Sequence, residues 1–211
     1  MGILGERART LPRLAVVDAA SLGAVVVGYL IGSIDFGVIV ARIRGVDIYG
    51  AGSGNPGATN VLRVMGRRTA ALVMAGDLIK GIAAAAIGDL VGGEVIGFAA
   101  GFAGVVGHCF PLWHRFRGGK GVATSGGVAV WLEPVVGIGL VLGWAVVVAS
   151  TKRASIASLA VALAYLPALL LTGHRGWSLV WGGAAAGLVV LRHHANIRRL
   201  ATGSEHSIEA P

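Results

Sequence analysis

The chain has 211 residues, of which 55% are hydrophobic and 13% charged, and a formal net charge of +8. A soluble domain carries about 25% charged residues, and a bilayer-crossing helix needs ~20 mostly apolar ones; several runs reach or approach that length, so the sequence reads as an all-α integral membrane protein with no separate soluble module. The positive charge finds no soluble basic face for nucleic acid, and the one cysteine, Cys109, excludes an intramolecular disulfide and a thiolate zinc site.

Residues 1–19 form an N-terminal tail. Its Arg7, Arg9 and Arg13 mimic a signal peptide, but Asp18 interrupts the apolar run, which then continues too far. The first helix is expected at 20–43 and carries Asp35. "GSGNPGATNVLR" follows at residues 52–63, too polar to span a membrane. The second helix, 69–91, holds Asp77 and Lys80 three apart on one face, where they can pair. Ionisable groups inside a span are either functional or a structural ion pair, and the sequence leaves both open. The third helix, 95–112, repeats Gly97, Gly101 and Gly104 at the small-residue spacing that lets membrane helices approach closely. "GHCFPLWHRFRGGKGVATSGG" (107–127) leads into helices at 121–133 and 134–150, divided at Glu133-Pro134. Helices at 155–173 and 176–192 complete the bundle, the last with Gly183 and Gly187. "RHHANIRRLATGSE" (192–205) and a C-terminal tail, 201–211, end the chain.

Segments 42–68, 113–120, 151–153 and 192–199 are basic, whereas the alternate loops hold only Arg175. If basic loops stay in the cytoplasm, about seven transmembrane helices run from N-outside to C-inside, with residues 20–200 as one domain. The three arginines of the tail oppose this orientation, but the loop asymmetry is larger. Arg67, Arg68, Lys152 and Arg199 are expected only to obey that rule. His174 falls on the opposite side as an interfacial residue, and His114 and His206 have no assigned role.

This topology gathers the three polar segments on one face. Each combines cationic side chains with Gly, Ser, Thr or Asn, the chemistry of an oxyanion or phosphate site. Glycines let backbone N–H groups approach a ligand, helix N-termini favour anions, and Arg and Lys supply fork and point charge. Lys120 stands just ahead of a helix in "GGKG"; Gly121 follows it where a P-loop needs Ser or Thr. There is no HxxxxD acyltransferase signature, no G-x-S-x-G elbow, and no HExxH or Asp-rich metal motif.

At these segments the chain resembles the bacterial acyl-phosphate:glycerol-3-phosphate acyltransferases, the PlsY family. "GYLIGSIDFG", "GSGNPGATNVLR", "GDLIKG", "GHCFP…FRGGKGVAT", "STKRASIAS" and "RHHANIRRLATGSE" occur in family order from about Tyr29 to Ile208. Asp35 stands where the family often has proline, and Ser204 where threonine is usual. The resemblance implies a seven-helix bacterial plasma-membrane enzyme whose motifs face the cytoplasm. It would move a fatty acyl group from acyl phosphate to the 1-hydroxyl of sn-glycerol 3-phosphate, releasing lysophosphatidate and inorganic phosphate, with no metal or cofactor.

On that resemblance Ser53, Asn55, Thr59, Asn60 and Arg63 cradle phosphate, with Gly54 and Gly57 admitting it to the backbone. Lys120, flanked by Gly118, Gly119 and Gly121, binds phosphate too, and His108 shapes that loop or meets substrate. His193 and Asn196 orient the glycerol hydroxyl, Glu205 anchors the third segment through a basic neighbour, and Ser155 and Ser158 add hydroxyl contacts. Attack is expected to be direct, without an acyl-enzyme, since acyl phosphate is already activated and needs positioning and charge stabilisation. The proton acceptor is His193 or a phosphate oxygen. The competing readings are a transporter or flippase for an anionic phosphate compound, disfavoured by the absence of an internal repeat, and an inactive regulatory partner.

Overall fold

A computed structural model describes residues 18–208, so most of the N-terminal tail and the last residues of the C-terminal tail lie outside it. The described chain is an all-α bundle of ten helices: α1 (Ala19–Gly32), α2 (Phe36–Ile43), α3 (Ala58–Met65), α4 (Arg67–Gly92), α5 (Glu94–Cys109), α6 (Val122–Leu132), α7 (Pro134–Thr151), α8 (Ala154–Leu171), α9 (Gly176–Arg192) and α10 (His194–Ala201). Among the described residues five helical stretches are long and apolar enough to cross a membrane, α1 and α2 counting as one, and α6 and α9 are shorter apolar helices. The chain is a multi-span membrane protein.

The expected helix at 20–43 is two helices. Ser33 ends α1, and its hydroxyl donates back to the Tyr29 carbonyl at 2.9 Å. Asp35 then caps α2 by accepting from the Val38 N–H at 3.1 Å. The apolar pattern runs through this break, so periodicity does not register it.

Two short helices, α3 and α10, lie inside segments expected to be loops. Each is eight residues long. Isolated helices of that length are marginal, and α3 forms because Val61 is buried in a core with Val38, Ala41, Ile48, Ala70 and Val73. The helix expected at 155–173 ends at Leu171, capped by Thr172.

Glycine sets the spacing of the bundle. A Cβ on Gly32 of α1 would lie 2.0 Å from the Gly104 carbonyl oxygen of α5, and one on Gly81 of α4 would lie 2.1 Å from that of Thr124 on α6. Gly97, Gly101 and Gly104 face Leu132, Val128 and Ala84, in keeping with their spacing. Gly183 touches Leu166, but Gly187 has nothing within 4 Å and serves no packing purpose. Lipid tails are as apolar as Leu, so close van der Waals contact rather than hydrophobic burial holds such helices together. Leu72, Leu142, Val146 and Leu163 are exposed around the outside, as a lipid-facing surface requires.

Candidate active site

The three polar segments meet at one end of the bundle around a single cavity, bounded by the loop before α3, the loop before α6, the start of α8, α10 and the segment after it. In the first segment Asn60, 2% exposed, knits the loop: its Oδ1 accepts from the Ser53 N–H at 2.8 Å and its Nδ2 donates to the Ala51 carbonyl at 3.0 Å. Asn55 accepts from the Gly57 N–H at 2.9 Å, a local turn that launches α3. Both amides therefore shape the loop. Ser53, Thr59 and Arg63 line the cavity together with these two asparagines.

Lys120 comes from the second segment. Gly121 caps α6 with φ +84, a conformation suited to glycine. The lysine Nζ donates to Asn196 Oδ1 at 2.6 Å; Asn196 Nδ2 donates to Glu205 Oε1 at 2.6 Å; Arg199 Nε donates to Glu205 Oε2 at 2.8 Å. This chain ties the second and third segments together. Burial lowers the Lys120 pKa to about 8; Glu205 opposes the shift, and Arg199, Arg63 and Arg192 add to it. Burial pushes the Glu205 carboxyl up, but its hydrogen bonds from Asn196 and Arg199 help bring it below the ordinary value.

His193 lies between α9 and α10 and is 2% exposed. Its Nδ1 is 2.7 Å from the Val189 carbonyl oxygen. A carbonyl only accepts, so Nδ1 carries the proton and Nε2 keeps its lone pair. Burial lowers the His193 pKa to about 4, against the pull of the Val189 carbonyl and with Lys120 assisting, which keeps the ring neutral near pH 7.

Asp77, Lys80 and His108 form a buried group beside the cavity. Lys80 Nζ is 2.8 Å from Asp77 Oδ1 and donates to the Ile34 carbonyl at 2.7 Å, exactly where α1 gives way to α2. His108 Nδ1 lies 3.4 Å from the same Asp77 oxygen. Asp77 and His108 line the cavity, whereas Lys80 and Asp35 do not.

The other residues expected at the site divide between its lining and its frame. Gly54, Gly118 and Gly119 do not line the cavity. Gly118 and Gly119 are small because the loop lies against His108: a Cβ on either would sit 2.1 Å from a His108 atom. Ser158 lines the cavity, but its hydroxyl donates to the Ala154 carbonyl at 2.7 Å and accepts from Trp144 Nε1 at 3.1 Å, so it joins α8 to α7. Ser155 lines the cavity beside Glu205. Arg199 does more than obey a topology rule, since it grips Glu205. His174 is buried at the other end of the bundle, 3.5 Å from Glu94 and 3.3 Å from Glu133.

Sequence reasoning did not single out Arg192 or His206. Arg192 donates to the Gly119 and Gly118 carbonyls at 3.1 and 3.0 Å and stacks on Phe110, clamping the second segment. Its place next to His193 at the end of an apolar helix was the available signal. His206 lines the cavity, and its carbonyl accepts from Arg63. Beyond the polar end, the cavity continues between α4, α6, α7 and α8 as an apolar arm lined by Leu78, Ala129, Leu140, Val141, Trp144 and Tyr165. The site therefore offers a cationic mouth, a neutral imidazole acceptor and an apolar slot.

A family model for glycerol-3-phosphate acyltransferase matches residues 22–203. The chain is 44% identical to a glycerol-3-phosphate acyltransferase of Sinorhizobium medicae over 192 residues, 90% of this chain and 93% of the relative. It is 40% identical to one of Rubrobacter xylanophilus over 182 residues, 86% and 92% respectively. Among solved structures it is similar to PlsY (YgiH), an integral membrane glycerol 3-phosphate acyltransferase, with 36% identity and coverage of 89% of this chain and 94% of that one. The TM-score is 0.86 for the glycerol 3-phosphate form and 0.83 for the lysophosphatidic acid form.

Proposed function

The chain belongs to the PlsY family of glycerol-3-phosphate acyltransferases, and from that premise we propose how its own residues carry the reaction. The enzyme transfers a fatty acyl group from acyl phosphate to the 1-hydroxyl of sn-glycerol 3-phosphate, giving lysophosphatidate and inorganic phosphate. The observation that carries the assignment of roles is the convergence of Lys120, Arg63 and the His193 acceptor at the mouth of an apolar arm.

Phosphate is held by Lys120 and Arg63, with the Ser53 and Thr59 hydroxyls at the first segment. Asn196 and Glu205 fix the Lys120 ammonium, and Arg192 fixes the loop that carries it. His193 Nε2 accepts a hydrogen bond from the glycerol 2-hydroxyl and so aims the 1-hydroxyl oxygen at the acyl carbonyl carbon, leaving the 1-hydroxyl proton free. The new C–O bond forms as the bond to phosphate breaks, and phosphate leaves with the electron pair. The proton goes to a phosphate oxygen: a phosphate monoester has a second pKa of ~6, making it a better base than an imidazole at about 4. The arm takes the acyl chain.

The bundle crosses the membrane seven times, with α6 and α9 as short crossings, within one domain spanning residues 20–200. Basic loops favour a cytoplasmic motif face and an outside N-terminus in the bacterial inner membrane. Purified protein with glycerol 3-phosphate should yield lysophosphatidate from palmitoyl phosphate but not from palmitoyl-CoA, and Lys120→Ala should cut the yield by roughly 100-fold or more. No product from either donor in folded protein would favour a binding or transport role. A covalently acylated Ser or Cys would rule out direct attack.

A further inference from the structure

The apolar arm has a defined end. On α8 the lining residues run Ser155, Ser158, Val161, Ala162 and Tyr165 and then stop, although Leu166 and Leu169 continue the helix. On α6 and α7 the deepest lining residues are Ala129 and Leu140. Ala129 and Tyr165 are also buried members of the core that contains Phe98 and Leu169, and Leu140 packs against that core. The arm thus ends where solid packing begins. Tyr165, only 4% exposed, is the bulkiest side chain at that boundary.

We propose that the Tyr165 ring is the floor of the acyl-chain arm and sets the length of acyl group the enzyme transfers. The proposal rests on the acyltransferase reading and adds a specificity-determining residue to it. From Ser155 to Tyr165 α8 rises ~15 Å, at about 1.5 Å per residue. That is about one leaflet of a ~30 Å hydrocarbon core. A chain with its phosphoryl end at Lys120 therefore reaches the floor when it is about as long as the chains of the surrounding lipid. Trp144, held to Ser158 at 3.1 Å, braces α7 against α8 partway along, so the walls are fixed while the floor residue selects.

The ring, not the hydroxyl, does this. The Tyr165 oxygen is buried and has no hydrogen-bond partner among the described residues, so Tyr165→Phe keeps the floor intact.

The test uses the full chain in detergent, with lauroyl, myristoyl, palmitoyl and stearoyl phosphate at saturating glycerol 3-phosphate. In Tyr165→Ala the ratio of kcat/KM for stearoyl over myristoyl phosphate should rise roughly tenfold or more, the range that a methylene gained or lost in a hydrophobic pocket commands. Tyr165→Trp should lower the ratio, and Tyr165→Phe should leave it as in wild type. If alanine weakens the fold, Tyr165→Leu and inhibition by alkyl phosphonates of graded length provide the same readout. An unchanged ratio in the Leu and Trp variants, with wild type active, overturns the floor and leaves the reaction standing. A wild-type enzyme that makes no lysophosphatidate from any of the four donors overturns both.

Discussion

Lys120 is placed to be an anion ligand whose charge is sensitive to pH. Its pKa of about 8 is that of the free site and is lowered by burial. A lowered lysine pKa means the charged form persists below about pH 8 and is lost above it. The KM for glycerol 3-phosphate should therefore rise above pH 8, by up to about tenfold per pH unit. Lys120→Arg, whose guanidinium keeps its proton, should lose this alkaline limb in a steady-state pH profile. Lys120→Ala should lower kcat/KM by roughly 100-fold or more, the usual cost of removing a charge-stabilising donor. His193→Ala should reduce kcat through lost orientation. With a substrate oxygen as the base, as proposed, the acidic limb should persist in that variant; its disappearance would return the proton to His193. Asn60 shows how residue type and role part company: it stands in the first motif, but its amide is occupied by Ser53 and Ala51.

At the scale of elements, the bundle depends on where helices are stripped of side chains. Gly32→Val would place atoms against the Gly104 backbone, where even a Cβ sits at 2.0 Å. Overpacking of this kind costs about 1–3 kcal/mol or more, and thermal unfolding in detergent should show it. Gly187→Ala, with nothing within 4 Å, should be neutral or slightly stabilising by the same measurement, since alanine is the better helix former. The two residues look alike in sequence, because each lies in an apolar helix near other small residues. The α1–α2 break is likewise invisible to hydropathy. Asp35 marks it as a cap, and Lys80 reaches across from α4 to the Ile34 carbonyl that the break exposes. The Asp77–Lys80 spacing was legible as a pair; that it sits beside His108 and the cavity was not.

Across the whole molecule, the last described residues complete the site. Glu205 joins Asn196 and Arg199, Arg63 Nε donates to the Ser207 carbonyl at 3.0 Å, and the Ile208 N–H donates to the Lys152 carbonyl at 2.8 Å. These contacts strap α10 and the end of α3 to the turn between α7 and α8. Truncation after Ala201 should leave a folded bundle, because the segment contributes little to the apolar core. It should remove nearly all lysophosphatidate formation, because Lys120 and Asn196 lose their carboxylate anchor. Gel filtration in detergent and product formation separate the two effects. A truncated enzyme with wild-type turnover would show the strap to be dispensable.

Composition and periodicity alone determined that this chain lives in a membrane as helices, because a ~20-residue apolar run has few alternatives in lipid. The motif text, with its Lys120, Arg63, His193 and Asn196, pointed to phosphate chemistry and to the family. Tertiary structure alone decided which motif residues face the cavity. Asn60 and Asn55 spend hydrogen bonds inside their own segment while lining the cavity, Ser158 joins α8 to α7, and Gly118 and Gly119 pack against His108. It also recruited Arg192, Arg199 and Tyr165, whose positions relative to the site arise from helices that meet only in three dimensions. A local pattern records which groups a segment carries, whereas their partners depend on long-range packing that no single segment encodes.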